Sequence, residues 1–170
     1  PLRPYSWDPK DLNDHFAAPI SALSFNENVV SFRVAPSDRA GSRPEVHTIP
    51  ESAGLDVHNL AITSPRGTRP HLSILREYPL DPIRIEGGIA LGARDAWRQM
   101  TVPSPPHFAV SIFRNVLLER GIRILGDIRV VESPDKSVLT GITSPTHRER
   151  SRVRILAKHS SPPLSEYISV

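Results

Sequence analysis

The most regular pattern of apolar and polar positions lies in residues 29–34. Apolar side chains there alternate with Ser31 and Arg33, and a period of two places the apolar set on one face of a β-strand. The preceding run Ala22–Phe25 is separated from this strand by Asn26–Asn28. Because asparagine tolerates the positive φ of a tight turn, the segment predicts a β-hairpin. The alternating apolar positions are Val30, Phe32 and Val34.

The region from about 35 to 100 consists of short strand-like runs separated by proline and glycine. In the last run Ile83 and Ile85 alternate with polar residues, and Gly87-Gly88 then predicts a bulge or bend. The pattern indicates a small β module. The predicted strands are Glu45–Ile49, Val57–Thr63, His71–Tyr78 and Ile83–Glu86.

The one long pattern with a helical period follows residue 104. Ser104 is a suitable N-cap, Pro105 and Pro106 suit a first turn, and Gly121 stands where a left-handed C-terminal cap belongs. The spacing therefore predicts a helix over 106–120 that packs on a sheet. Its apolar stripe is Ala109, Ile112, Phe113, Val116 and Leu117.

More strand-like runs follow the helix, beginning with Ile122–Ile124. The fold class we predict is α+β, a partial α/β layer (a sheet with a packed helix) that carries an inserted small antiparallel β module. The predicted division is 1–33 with 101–160 as the α/β accessory domain, 34–100 as the inserted module, and 161–170 as a return to a further domain. The later strands are Val130–Glu132, Ser137–Thr143 and Arg152–Ala157.

Composition narrows the possibilities for this 170-residue chain. Its 18 prolines limit the length of helices and central strands, and the absence of cysteine excludes disulfides and thiolate sites. No run reaches the roughly 20 apolar residues of a membrane span. The sequence begins at Pro1, so we expect a processed or trimmed piece.

The net charge of +3 does not by itself indicate nucleic-acid binding. The 18 arginines are spread along the chain, and their single cluster has alternate spacing. If the cluster is a strand, this spacing places its arginines on one face, which is either exposed to solvent or a stripe that binds phosphate. Aromatic stacking partners are absent between Phe113 and Tyr167, which favours the solvated face. We expect no nucleic-acid partner. The cluster is Arg148, Arg150, Arg152 and Arg154.

Two short matches to serine acyl-transferase motifs are interpreted as chance. Ser133–Lys136 reads S-x-x-K, but Pro134-Asp135 indicates a turn and not the helix start that this chemistry requires. Ser24–Asn26 reads S-x-N inside the predicted hairpin. The seven scattered histidines have no metal-ligand spacing. The residues alone therefore offer no catalytic constellation, no metal site and no cofactor site.

Three segments in a fixed order resemble the D-alanyl-D-alanine carboxypeptidase/endopeptidase family, the low-molecular-mass class C penicillin-binding proteins. The resemblance spans nearly the whole chain and is loosest over 36–100. The segments are Trp7–Leu12 with Phe16–Leu23 and Asn26–Val30; the helix–strand unit Pro106–Gly126; and His159–Ile168, which reads HSSPPLSEYI.

This resemblance implies an exported, periplasmic serine hydrolase that cuts peptidoglycan stem peptides, binds β-lactams and needs no cofactor. In that family the S-x-x-K element lies upstream of the first segment, and the S-x-N and K-T-G elements follow the third. We therefore expect a fragment that is catalytically inactive alone, within a parent protein that is a serine-type carboxypeptidase.

The resemblance also implies a substrate-binding role for Asp11, Trp7 and Phe16, near the free amine of the peptide. A carboxylate is the group that pairs with an ammonium, and aromatic walls exclude water around the pair. Trp7 stands one residue further from Asp11 than the family pattern, and Phe16 lacks a phenolic hydroxyl. The structural alternative is that Trp7 and Phe16 fix an irregular segment to the sheet while Asp11 caps a short helix.

A rival function from another class is a non-catalytic β-rich binding module of the cell envelope. It would contact glycan strands, another wall protein or nucleic acid through the 36–100 region. S-x-N and K-T-G elements beyond Val170 in the parent gene would discriminate in favour of the enzyme. The sequence leaves the oligomeric state and the preference for carboxypeptidase or endopeptidase substrates open.

Overall fold

The computed structural model shows an α+β protein with one described helix and several small sheets. It describes residues 6–8, 11–51, 54–77, 82–131, 133, 136, 157–158, 160–163 and 165–166. The strands are β1 Val29–Ala35, β2 Glu45–Ile49, β3 Val57–Asn59, β4 Ile62–Ser64, β5 Ser73–Leu75, β6 Ile83–Glu86, β7 Gly88–Ala90 and β8 Ala96–Thr101, and the helix is α1 Pro105–Glu119.

The largest sheet has the order β2-β1-β8, and both ladders are antiparallel. The alternation predicted for β1 is confirmed, since Val30, Phe32 and Val34 are each fully buried while Ser31 and Arg33 are only half-buried. These three side chains join Ile83 and Ile85 of β6 and Met100 of β8 in one hydrophobic cluster. The period-two pattern therefore specifies the buried face of the central strand.

The middle region contains two further small sheets. The β2 and β6 bounds match the prediction, whereas the predicted strand at 57–63 divides into β3 and β4. β5 pairs with β6 antiparallel, but β3–β6 and β4–β7 are parallel. The expectation of antiparallel pairing therefore holds only for part of this region, because pairing direction depends on contacts between segments distant in sequence.

The predicted helix is confirmed with Pro105 at its first position. Ser104 occupies the N-cap position, but its side chain makes no capping hydrogen bond. The expected apolar stripe is wrong in part: Phe108 and Ile112 are buried in the core cluster, whereas Phe113 is 60% exposed. The buried face lies around Phe108 because the first half of α1 contacts the core, and the residues of its last turns are half-buried or exposed.

The predicted hairpin is wrong, although its turn is present. Asn26, Glu27 and Asn28 all have positive φ of 49–58°, as the asparagines suggested. Residues 22–25, however, form no strand. Both edges of β1 are occupied by β2 and β8, and Ser24 Oγ instead donates to the Ser21 carbonyl at 3.0 Å. Such side-chain to backbone bonds compete with strand pairing.

The predicted strand Ile122–Ile124 is also absent. Gly121 has φ +78° and ends the helix as expected. Its N–H donates to the Leu118 carbonyl at 2.9 Å, and the Ile122 N–H donates to the Leu117 carbonyl at 2.9 Å. This pair of bonds is a Schellman motif, so Ile122 completes the helix end and does not begin a strand.

Packing divides the chain into one compact unit of residues 1–129 and a second of residues 130–170. The predicted boundaries near 33 and 100 fall within β1 and β8, so the three-part division remains a prediction about the intact protein. The predicted strands Ser137–Thr143 and Arg152–Ala157 and the arginine cluster at 148–154 lie, save Ala157, outside the described residues. No helix in the described ranges is both long and apolar enough to cross a bilayer.

Gly87 gives a first testable prediction about this fold. It has φ +92°, and a Cβ added there would lie 2.1 Å from the His71 carbonyl oxygen. Gly87→Ala is therefore expected to lower the free energy of unfolding by about 2–4 kcal/mol, from backbone strain and overpacking together. The measurement is urea denaturation of both proteins.

Gly41→Ala is the matched control for this substitution. Gly41 has a similar φ of +89°, but nothing lies within 4 Å of an added Cβ. We expect a loss of only about 1–2 kcal/mol from the left-handed backbone. Equal losses for the two variants would contradict the steric contribution of His71.

Candidate functional site

Residues 11–17, which contain two of the three predicted substrate-binding residues, are linked by short-range backbone hydrogen bonds. The backbone N–H groups of Asp11, Asp14 and Ala17 donate to the carbonyls of Asp8, Asp11 and Asp14 at 2.9–3.0 Å. Each bond joins residues that are three apart in the sequence, and the last lies in the 3-10 helix His15–Ala17. The backbone N–H and the backbone carbonyl of Asp11 are therefore both used in local hydrogen bonds.

Strand β8 holds this segment by its last residue, Thr101. The Thr101 N–H donates to the Asn13 carbonyl at 3.0 Å, and Thr101 Oγ1 donates to the Leu12 carbonyl at 2.8 Å. Thr101 is fully buried. Since buried hydrogen bonds are costly to leave unmade, these contacts fix the course of residues 12–13 along the sheet edge.

Asp11 and Asp14 differ in their partners. The Asp14 carboxylate accepts a hydrogen bond from Arg98 Nη2 of β8 at 2.6 Å. Asp11 is half-buried, and its carboxylate has no hydrogen-bond or ion-pair partner among the residues that the structure describes. An unpaired, half-buried carboxylate can accept an ammonium group of a ligand. The same observation removes support for Asp11 as a helix cap.

Phe16 does not fix the segment to the sheet, as the structural alternative required. Its side chain is 64% exposed and meets the His15 ring edge-on, with the ring centroids 5.7 Å apart. The buried anchor is its neighbour Ala17, at 1% exposure. Trp7 is half-buried. Phe16 is thus free to contact a ligand.

An open cavity of about 490 Å³ lies beside Phe16. Trp97, 58% exposed, contributes a second aromatic ring to it. Asp11 and Trp7 do not belong to this lining. The structure therefore places Phe16 in a surface cavity next to the segment that carries Asp11. The lining residues are Asp14, His15, Phe16, Trp97, Arg98 and Gln99.

Sequence reasoning missed Trp97, Arg98 and the strand that carries them. Of the β8 residues, only Met100 and Thr101 are buried, and residues 97–99 are exposed. Because the strand lies at the sheet edge, it shows no alternation that could have revealed it. The aromatic–basic pair Trp97-Arg98 was the one available signal.

The family of the chain follows from a comparison with protein-family models. The model described as the D-Ala-D-Ala carboxypeptidase 3 (S13) family matches residues 2–170. The chain belongs to this family. The resemblance inferred from its motifs is therefore confirmed. A search of curated proteins found no match.

Solved structures give the S13-family chain two similar folds, both of penicillin-binding protein 4 from Haemophilus influenzae. The first has a TM-score of 0.55 at 16% identity and covers 73% of this chain. The second, complexed with a novel β-lactam, has a TM-score of 0.51 at 13% identity and covers 69%. The chain spans about a quarter of those proteins, 27% in each case. At such identities the likeness establishes the fold.

Residues of the two serine motif matches in this S13-family chain make local hydrogen bonds. The Lys136 N–H donates to the Ser133 carbonyl at 3.1 Å, and Lys136 is exposed. Asn28 Nδ2 donates to Ser24 Oγ at 3.1 Å, whereas the Asn26 amide donates to the Val29 carbonyl. These contacts agree with the interpretation of both matches as turns.

The described residues of the S13-family chain contain no cluster of three histidine or acidic side chains that could hold a metal ion. The chemistry that the half-buried Asp11 carboxylate offers is the pairing of a carboxylate with a cation. That arrangement can bind and orient a ligand amine.

Proposed function

We propose that this chain is part of a serine-type D-Ala-D-Ala carboxypeptidase/endopeptidase that acts on peptidoglycan stem peptides in the periplasm. The nucleophilic serine and its lysine lie outside these 170 residues, and the whole protein is acylated by β-lactams. Family membership of residues 2–170 supports the activity class. The contribution of this chain is recognition of the substrate.

The unpaired Asp11 carboxylate is the observation that carries this assignment. Arg98 neutralises Asp14, so within the described part of this segment Asp11 is the carboxylate left for a ligand. A free amine on the stem peptide is its partner, because a charge-assisted hydrogen bond gives both attraction and direction. Trp7 and Phe16 limit the access of water to that pair.

The same proposal retains the predicted domain division. Residues 1–33 with 101–160 would be the accessory domain that presents Asp11, and 161–170 would lead back toward the catalytic domain.

Covalent labelling tests the proposal. A fluorescent penicillin is expected to acylate the full-length protein that contains this chain, and the label should map outside residues 1–170. The Ser133→Ala variant should be labelled at the same rate, because exposed Lys136 cannot be held desolvated beside Ser133. Mass spectrometry of the digested adduct identifies the modified residue.

Two results would contradict the proposal. Attachment of the penicillin to Ser133 would make this chain itself the acylated part. A full-length protein that binds peptidoglycan but is never acylated would favour the non-catalytic binding module.

A further inference from the structure

We propose that Arg76 is a positioning residue for the substrate amine site, acting through Asn13 and Thr101 on the segment that carries Asp11. The inference rests on the proposed function, since it assigns Asp11 to a ligand amine. Arg76 follows strand β5 and is separated from Asn13 by 63 residues.

Arg76 lies inside the protein, where an arginine is uncommon. It is 4% exposed, and burial of a guanidinium is expensive unless hydrogen bonds replace its lost water. Arg76 Nε donates to Asn13 Oδ1 at 2.9 Å. Arg76 Nη2 donates to the Thr101 carbonyl at 2.8 Å and lies 3.2 Å from Thr101 Oγ1.

Asn13 makes a second hydrogen bond with Arg76. Its Nδ2 donates to the backbone carbonyl of Arg76, so the side chain of Asn13 is held at both ends of its amide. A two-point contact fixes orientation as well as distance. Arg76 therefore connects three elements: the end of β5, the end of β8 and the turn that contains Asn13.

The consequence for Asp11 follows from the backbone. Thr101 donates hydrogen bonds to the carbonyls of Leu12 and Asn13. Arg76 in turn donates a hydrogen bond to Thr101. The Asp11 carbonyl accepts the Asp14 N–H at 2.9 Å, so Asp11 belongs to the same fixed turn. A small displacement of this turn moves the carboxylate away from the ligand amine, and binding geometry is sensitive to about 1 Å.

An arginine suits this position better than a lysine. The guanidinium presents several donors in a rigid plane and can reach Asn13 and Thr101 at once. A lysine retains the charge and a similar length, but its three donors share one nitrogen and cannot span Asn13 and Thr101 as the guanidinium does. Arg76→Lys should therefore keep the fold and loosen the turn.

The test compares two peptides and a penicillin in the full-length protein. For Arg76→Lys we expect kcat/KM to fall about tenfold on a D-Ala-D-Ala peptide with a free side-chain amine, chiefly through KM. The same peptide with that amine acetylated, and a penicillin without an amine, should react at nearly the wild-type rate. A residue that supports only the fold would lower all three.

Asn13→Ala is a second, independent variant. It removes the other side of the same contact, so it should reproduce the change in the ratio of the two peptide rates. The double variant Asn13→Ala/Arg76→Lys should be no worse than the more affected single variant, since residues in one network are not additive.

Arg84→Lys and Phe108→Leu are the controls. Arg84 is a partly exposed arginine of the same β5–β6 sheet, paired with Glu77 and Glu86, and its replacement should leave the ratio unchanged. Phe108→Leu weakens the hydrophobic core cluster, to which Asp11, Asn13 and Arg76 do not belong. It should lower the unfolding midpoint without changing the ratio.

Each outcome decides between the proposals. If Asp11→Asn alters the ratio while Arg76→Lys and Asn13→Ala do not, the positioning role of Arg76 is wrong and the amine site stands. Parallel losses on all three substrates also overturn the positioning role. If Asp11→Asn itself leaves the ratio unchanged, the amine site fails and the role of Arg76 fails with it. Should Arg76→Lys not fold, the ratio measured for Asn13→Ala decides.

Discussion

Asp11→Asn in the full-length protein is expected to lower kcat/KM about ten- to a hundredfold for peptides with a free side-chain amine. The substitution keeps the shape of the side chain and removes its charge. A charge-assisted hydrogen bond contributes about 1.5–3 kcal/mol, which corresponds to that range of rates. Acylation by a penicillin without an amine should hardly change, because the reacting groups are untouched. Both rates are measured in wild type and variant.

Asp14→Asn is the matched control on the same segment. Its carboxylate is already paired with Arg98, and the Arg98 side chain is 49% exposed. A half-exposed ion pair contributes at most about 1 kcal/mol, and asparagine still accepts a hydrogen bond from Arg98. We expect little change in amine selectivity. Equal losses on the peptide and the penicillin for Asp11→Asn would instead assign Asp11 a structural role.

Phe108→Ala is expected to lower the free energy of unfolding by about 3–5 kcal/mol. Phe108 is 2% exposed within the cluster formed by β1, β6, β8 and α1, and its ring lies 6.1 Å from that of Phe25. Removal of the ring leaves a cavity and forfeits those contacts. Urea denaturation followed by circular dichroism measures the loss.

Phe113→Ala provides the comparison within the same helix. Phe113 is 60% exposed, and alanine is the better helix former, so its loss should remain below about 1 kcal/mol. A larger loss for Phe113 than for Phe108 would show that the helix packs by the stripe expected from the sequence and not by the face found in the structure.

The sequence by itself determined the elements whose signals are local. The helix has local start and stop signals, Pro105 at its beginning and Gly121 after its end. Its period of about 3.6 residues can also be recognised without knowledge of residues distant in the sequence. Strand β1 is determined in the same way, because alternation reports which side chains must be buried together. The order of short motifs along the chain was also sufficient to indicate the family that the comparison confirmed.

The tertiary structure decided what depends on residues far apart in the chain. Strand β8 forms because it can pair with one edge of β1. Residues 22–25 form no strand because that edge of β1 is already paired. The buried face of α1 is the one that meets the core, and periodicity alone placed it only in part, with Ile112 buried and Phe113 exposed.

The candidate site divides in the same way. Its residues Asp11, Trp7 and Phe16 came from the sequence motif, but the sequence could not distinguish a paired carboxylate from an unpaired one. Arg98 lies 84 residues from Asp14, and Arg76 lies 63 residues from Asn13. Only folding brings these groups together, and the burial of Arg76 then strengthens the hydrogen bonds that it makes.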